Sequence, residues 1–124
     1  EIVRTGRSFY EILEEMNIPD YPWDRRSYLL EPVEIRDKVY SVLIEDLKHI
    51  LGEPFNVIDI DGYRYEYSDN SWVLIRKSGT EPKIRLYMEA NSVDRLKFMV
   101  ETVEKRLKNV VRDLNGRVVE VTIG

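Results

Sequence analysis

The chain has no cysteine, no membrane-length apolar segment and no signal-peptide pattern. Without cysteine among its 124 residues, disulfide bonds and thiolate metal sites are excluded, and a reducing compartment is favoured. No apolar run approaches the roughly 18 residues that a membrane-spanning helix needs. The first ten residues carry Glu1, Arg4 and Arg7 and lack the apolar core of a signal peptide. We therefore expect a cytoplasmic protein with no membrane partner.

An excess of positive charge is also missing. The chain has 19 Lys and Arg against 23 Asp and Glu, a formal net charge of −4. General nucleic-acid binders are more often basic, so we expect no nucleic-acid partner, and any anion site must be local. The residues that are present, 43% hydrophobic and 34% charged, form a mixture typical of a globular protein rather than a disordered one.

The N-terminal region differs in pattern from the rest of the chain. The sequence starts at Glu1 rather than methionine, which suggests a piece of a longer protein. Apolar spacing predicts a short helix over residues 8–16, and two prolines predict a linker over residues 18–26. We expect residues 1–26 to be the tail of a preceding domain plus a linker, and residues 27–124 to form one domain.

Hydrophobic periodicity predicts the elements of that domain. Period-2 patterns predict strands, whereas stripes with a period of 3.6 predict helices over residues 36–51 and from Asn91 or Ser92 to Leu114. The predicted strands span residues 28–33, 55–60, 63–67, 71–76, 83–90 and 117–123. Short connections favour antiparallel pairing, and two amphipathic helices can cover one sheet face. The prediction is an α+β fold in two layers: a mostly antiparallel sheet with two helices on one face.

Two of these strands carry more specific expectations. Pro32 marks the strand over residues 28–33 as an edge strand, since proline cannot donate to a central ladder. In the strand over residues 55–60, we expect Phe55, Val57 and, after a shift, Ile58 and Ile60 to face inward, with an uncertain register.

The polar connection between two of the predicted strands points to anion binding. Ser78, Gly79 and Thr80 allow consecutive backbone N–H groups to form an anion-binding nest, and Gly79 has no Cβ to keep an anion away. Arg76 leaves one strand and Arg85 enters the next. Their planar guanidinium groups suit phosphate because each donates two parallel hydrogen bonds. The segment therefore predicts a phosphate-binding loop.

Local charge agrees with this interpretation. Residues 76–85 contain four cations and one carboxylate, a net charge of +3, which leaves −7 on the rest of the chain. A concentrated positive site on an acidic body suits a specific anionic ligand. Glu81 would repel a phosphate at contact distance, so we expect it to orient Arg85 or the loop backbone. A surface hairpin with solvated charges stays open as an alternative, since a lone glycine loop is weak evidence.

The segment from Trp72 to Arg85, WVLIRKSGTEPKIR, resembles the C-terminal loop of the α-D-phosphohexomutase family. This family includes phosphoglucomutase, phosphomannomutase and phosphoglucosamine mutase. Asp61-Gly62-Tyr63-Arg64 before the loop, and the strand and long helix after it, are also similar to that domain. The resemblance covers residues 30–124. It implies a four-domain parent enzyme whose last domain is TATA-binding-protein-like, with residues 27–124 as its C-terminal phosphate-binding domain.

The resemblance also implies roles for the loop residues. The loop would hold the phosphate of the hexose phosphate substrate that is not transferred. Lys77 stands where relatives often carry proline, and we group it with Glu81 as a loop-orienting residue. The implied phosphate ligands are Arg76, Ser78, Gly79, Thr80 and Arg85.

The other catalytic elements of the family are not found in this sequence. The family needs a phosphoserine in a Ser-His-Asn-Pro-like segment, an aspartate-rich Mg²⁺ loop and a Gly-Glu-x-Ser-Gly sugar loop, and none occurs here. We expect no catalytic and no metal-binding residue in this chain, which should be inactive alone. The implied parent is an isomerase that moves a phosphoryl group between O1 and O6 of a hexose, with Mg²⁺ and the remaining domains of the parent chain as partners.

The other candidate residues are better explained by ordinary structural positions than by a catalytic or metal site. Asp59 and Asp61 give only two carboxylates, a poor Mg²⁺ site. His49, the single histidine, lies near a predicted helix C-terminus, where a cation gains from the helix dipole.

Three tyrosines, Tyr63, Tyr65 and Tyr67, share one strand face. They could stack on bases, so a non-enzymatic anion- or nucleic-acid-binding module with a TATA-binding-protein-like sheet is an alternative. We favour packing or a domain interface for them. A third possibility is a structural domain whose loop docks a partner.

Overall fold

The structure is a computed structural model that describes residues 21–124. The helix expected over residues 8–16 lies outside these residues. The elements in chain order are β1 (Trp23–Glu31), a short 3-10 helix (Val33–Ile35), α1 (Arg36–Asp46), β2 (Asn56–Asp59), β3 (Tyr63–Glu66), β4 (Trp72–Lys77), β5 (Lys83–Glu89), α2 (Val93–Asp113) and β6 (Arg117–Ile123).

One sheet contains the six strands in the order β2-β3-β4-β5-β1-β6. Every pairing between neighbouring strands is antiparallel. Both α-helices pack on the same face, which carries the core. The α+β, two-layer prediction is therefore confirmed.

Alternation along β4 and β5 separates the two faces of the sheet. Ile84, Leu86 and Met88 are at most 1% exposed, and so is Ile75 on the neighbouring strand. Residues between them in sequence point to the opposite face, since successive side chains of a strand alternate. We call this opposite side the open face, because neither helix covers it.

The two helices form where their apolar stripes can be buried. The hydroxyl of Ser92 caps α2 by accepting from the Arg95 backbone N–H at 3.1 Å, and Asn115 with φ 61° follows its end. Helix α1 ends at Asp46 rather than at residue 51 as predicted. After Asp46 the chain forms tighter turns, in which Lys48 donates to the Glu45 carbonyl and His49 to the Asp46 carbonyl. Leu51 is nevertheless buried. No helix within residues 21–124 is both long and apolar enough to cross a membrane.

Strand β1 corrects the prediction of an edge strand over residues 28–33. It begins at Trp23, so residues 23–26 lie in the sheet rather than in a linker, and it pairs with β5 on one side and β6 on the other. Because Asp24 and Arg26 are charged, the sequence pattern did not predict that residues 23–26 belong to a strand. The Arg26 guanidinium donates to Asp24 at 2.8 Å and to Glu104 of α2 at 2.9 Å, so paired charges can occupy the helix-facing side.

Strand β2 and the residues beside it correct the prediction that Phe55, Val57 and Ile60 face inward, whereas Ile58 is half-buried. Phe55 is 69% exposed, Val57 41% and Ile60 77%. Among residues 21–124 the strand lies at one edge of the sheet and pairs with β3 alone. Apolar content alone does not tell whether a helix reaches over a strand, and here the helices leave this edge uncovered.

Candidate phosphate-binding site

The β4–β5 connection is a short loop that backbone hydrogen bonds close at its base. The Ser78 N–H donates to the Lys83 carbonyl at 3.0 Å, and the Lys83 N–H donates to the Glu81 carbonyl at 2.7 Å. The Pro82 carbonyl accepts from the Leu30 N–H of β1 at 3.0 Å. Hydrogen bonds therefore connect the loop both to the strands that it joins and to β1, the next strand of the sheet.

Ser78 supports the loop from inside. Its side chain is buried, and its hydroxyl accepts from the N–H groups of Thr80 at 3.4 Å and Glu81 at 3.3 Å. Both distances lie beyond the usual range of a backbone N–H hydrogen bond, so these contacts are weak. The family resemblance implied Ser78 as a phosphate ligand, whereas in this structure its hydroxyl is directed at two amides of the loop.

Gly79 and Thr80 form the exposed tip of the loop. A Cβ added at Gly79 would meet no atom within 4 Å, and the backbone there is not in the left-handed region. The fold therefore places no steric demand on Gly79, and the space beside its backbone is open to a ligand.

Arg76 and Arg85 stand directly opposite each other on β4 and β5, on the open face. Like charges in such a cross-strand pair are destabilising, and an anion between them would relieve the repulsion. Arg76 lies 3.7 Å from the exposed carboxylate of Asp61, whereas Arg85 donates to the Ser27 hydroxyl at 3.1 Å. No ion pair among residues 21–124 includes Arg85.

The remaining charges of the segment separate onto the two faces. The Glu81 carboxylate pairs with Lys83 at 3.5 Å, and Arg85 contacts Ser27 rather than Glu81. That Glu81 orients the loop backbone stays a prediction. Lys77 points toward the helix layer, where it lies 3.3 Å from the Asp37 carboxylate and over the ring of Tyr40. Of the four cations in residues 76–85, Arg76, Lys83 and Arg85 therefore lie on the open face.

Sequence reasoning missed Arg36, which begins α1 and contacts the loop from the helix layer. One nitrogen of its guanidinium, Nη1, donates to the Ser78 carbonyl at 2.7 Å and to the Glu81 carbonyl at 2.9 Å. The neighbouring Asp37 accepts from Arg36 Nε at 3.2 Å. Lys77 and Arg36 both hold the pKa of Asp37 below its ordinary value, with the hydrogen bond from Lys77 the larger cause.

The described residues do not fit a Mg²⁺ site. No group of three or more His, Asp or Glu side chains within residues 21–124 could hold a metal ion. Asp59 and Asp61 both belong to the exposed end of β2 and its turn, and His49 is exposed in the turn after α1.

Tyr65 of β3 and Tyr67, which follows that strand, pack under α1 rather than forming a stacking surface. Tyr65 is 0% exposed and Tyr67 4%, and their hydroxyls donate to the carbonyls of Ile44 and Leu47. Buried rings cannot stack on bases, so the packing interpretation is confirmed for these two residues. The nucleic-acid alternative loses two of its three aromatic contacts.

Comparison with known proteins identifies the same domain. Residues 31–106 match the family model described as phosphoglucomutase/phosphomannomutase, C-terminal domain. A probable phosphoglucosamine mutase of Methanothermobacter thermautotrophicus is 33% identical over 111 residues, covering 90% of this chain and 24% of that protein. A phosphopentomutase of Thermococcus kodakarensis is 33% identical over 104 residues, covering 83% of this chain and 22% of that protein.

A solved structure agrees with these matches. The crystal structure of a phosphoglucomutase/phosphomannomutase family protein from Burkholderia thailandensis superposes with a TM-score of 0.55 at 26% identity, covering 76% of this chain and 19% of that one. The chain thus spans about a quarter of the length of the curated relatives it matches, 24% and 22% in the two cases above. The chain belongs to the phosphoglucomutase/phosphomannomutase family, and residues 31–106 are its C-terminal domain.

Proposed function

We propose that this chain is the substrate-phosphate-binding domain of a longer sugar-phosphate mutase. The loop from Ser78 to Glu81, flanked by Arg76 and Arg85, would hold the substrate phosphate that is not transferred. The observation that carries this proposal is the direct pairing of Arg76 with Arg85 beside the exposed tip of the loop. A phosphate between two guanidinium groups would turn their repulsion into two charge-assisted contacts.

The backbone of the loop supports the same ligand. The N–H groups of Thr80 and Glu81 make only long contacts to the Ser78 hydroxyl, so a charged phosphate oxygen would be a stronger acceptor for them. Because the tip is exposed and Gly79 carries no side chain, a phosphate group can approach these donors without displacing any of residues 21–124.

The relatives support a sugar phosphate as the ligand class. Their names include a phosphoglucosamine mutase and a phosphopentomutase, whose sugars differ while the phosphate is common. A loop that binds the phosphate alone fits both. The hexose phosphate named by the sequence resemblance is our specific choice within this class.

The domain would contribute positioning rather than bond-breaking chemistry. The longer enzyme would move a phosphoryl group between O1 and O6 of the hexose. The phosphoserine and the Mg²⁺ ligands would lie in other domains, since the described residues of this chain do not fit a metal site. Holding the far phosphate fixes the reacting oxygen near its target, which lowers the barrier without a catalytic group in this domain. Alone, the chain should be inactive.

The direct test is a titration of isotope-labelled chain, followed through its backbone amide shifts. Glucose 1-phosphate should shift the amides of Gly79 and Thr80 and those next to Arg76 and Arg85, whereas a short DNA duplex should not. Arg85→Gln should weaken this binding, while Lys105→Gln, which removes one exposed positive charge from α2, should not. Loop amides that stay unshifted by the sugar phosphate, or broad shifts with DNA, would contradict the proposal.

A further inference from the structure

Arg36 contacts the phosphate loop from the layer opposite the proposed ligand. Its Nη1 nitrogen donates one N–H to the Ser78 carbonyl and the other to the Glu81 carbonyl, at 2.7 Å and 2.9 Å. These carbonyls lie at the two ends of the loop, so one cationic group spans it. Hydrogen bonds from a charged donor are stronger than those between neutral groups.

The contact to Ser78 determines where the next amide points. In a planar trans peptide, the carbonyl of one residue and the N–H of the next lie on opposite sides, and the Ser78–Gly79 peptide is trans. With the Ser78 carbonyl held toward Arg36, the Gly79 N–H is directed away from α1. That N–H has no hydrogen-bond partner in the described part of the chain.

Arg36 is itself held by charges on two elements. Its Nε donates to the Asp37 carboxylate at 3.2 Å. The same carboxylate lies 3.3 Å from Lys77, the last residue of the strand that enters the loop. The set of Arg36, Asp37 and Lys77 therefore ties the start of α1 to the start of the loop.

We propose that Arg36 is a positioning residue that holds the loop in its phosphate-binding form and directs the Gly79 N–H at the ligand. This inference rests on the proposed function, because it concerns the same site. Arg36 does not contact the phosphate. It acts through the two carbonyls, and Lys77 acts one step further away, through the shared carboxylate of Asp37.

The test compares three variants of the chain in a glucose 1-phosphate titration. Arg36→Gln should weaken binding by about tenfold, because the loop loses a charge-assisted contact at each end. Lys38→Gln is the matched control, since it removes an exposed positive charge from the same helix without touching the loop. Arg36→Lys should restore most of the affinity, because an ammonium group can also donate to both carbonyls.

Amide relaxation and urea unfolding separate positioning from general stability. In Arg36→Gln the Gly79 and Thr80 amides should become mobile while the rest of the sheet keeps its order and the chain still unfolds cooperatively.

Equal affinity in Arg36→Gln and Lys38→Gln, with an unchanged Gly79 amide, would overturn the role of Arg36 alone. Absence of binding in the unaltered chain would instead overturn the proposed function. If Arg36→Gln does not fold, an Arg36→Lys variant that binds about tenfold more weakly than Lys38→Gln while its Gly79 amide stays rigid would overturn the inference.

Discussion

The residues in and around the loop are of two kinds: some hold its conformation, and others are exposed where a ligand could bind. Ser78 is buried and contacts the loop amides, and Arg36 holds two of its carbonyls. Gly79 does neither, because among residues 21–124 no atom beyond its two chain neighbours lies within 4 Å of a Cβ built on it. A glycine that the fold does not require is a place where stability and ligand binding can be measured separately.

Gly79→Ala should leave the fold intact and weaken phosphate binding. The backbone at this position suits any residue, and alanine restricts the unfolded chain, so the free energy of unfolding should stay equal or rise by up to about 1 kcal/mol. The added methyl group would occupy the space where we place the anion, and the affinity for glucose 1-phosphate should fall by roughly tenfold. Urea unfolding and an amide titration check the two halves. Unchanged affinity would show that the anion does not approach Gly79.

At the scale of elements, the alternation of apolar and polar residues predicted side-chain burial best where a helix covers one face of a strand. Ile84, Leu86 and Met88 alternate along the strand predicted over residues 83–90, and all three are buried under the helices. The same reasoning failed for Phe55 and Ile60, because neither α1 nor α2 covers the edge strand β2. The start of β1 was missed because Arg26 is paired with Glu104, a residue far along the chain.

The candidate site was predictable only in its local part. Arg76 and Arg85 could be placed on opposite sides of one loop because both belong to the hairpin itself. Ser27, which contacts Arg85, and Arg36, which contacts the loop carbonyls, come from β1 and α1. Contacts between elements depend on sheet order and helix packing, which the local pattern around the loop does not contain.

The turn between β2 and β3 gives a prediction at this scale. Gly62 has φ 124°, and a Cβ there would lie 2.7 Å from the Ile75 carbonyl oxygen and 2.9 Å from Arg76 Cβ. Gly62→Ala should therefore lower the free energy of unfolding by about 2 kcal/mol or more through backbone strain and this contact. It should also displace Arg76 and weaken binding of glucose 1-phosphate.

Gly52→Ala is the matched control for this variant. Gly52 has φ 103°, but a Cβ there would meet nothing within 4 Å, so its substitution carries the backbone strain without the contact. Urea unfolding should rank Gly62→Ala as the less stable variant, and only Gly62→Ala should change the affinity. Equal losses of stability with equal affinities would show that the turn does not position Arg76.

At the scale of the whole molecule, the core between sheet and helices contains tyrosine hydroxyls. Tyr28, Tyr65 and Tyr67 are at most 4% exposed. Burial raises the pKa of Tyr67 to about 12 and raises the pKa of Tyr28 and Tyr65 further still. An unfolded chain would ionise all three near the ordinary value of 10.0, so the core links the stability of the domain to alkaline pH.

The sign of this linkage follows from the direction of the shifts. Because the pKa values are raised in the folded state, the stability that these groups contribute is fully present below pH 10.0 and is lost as pH rises above it. Each tyrosine should lower the free energy of unfolding by up to about 1.4 kcal/mol per pH unit in that range.

Urea unfolding by circular dichroism at a series of pH values measures the slope of the free energy of unfolding against pH. Tyr67→Phe should be less steep than the unaltered chain, since it has one titrating group fewer while lysine deprotonation is common to both. Parallel slopes would mean that Tyr67 ionises as readily in the folded chain as in the unfolded one.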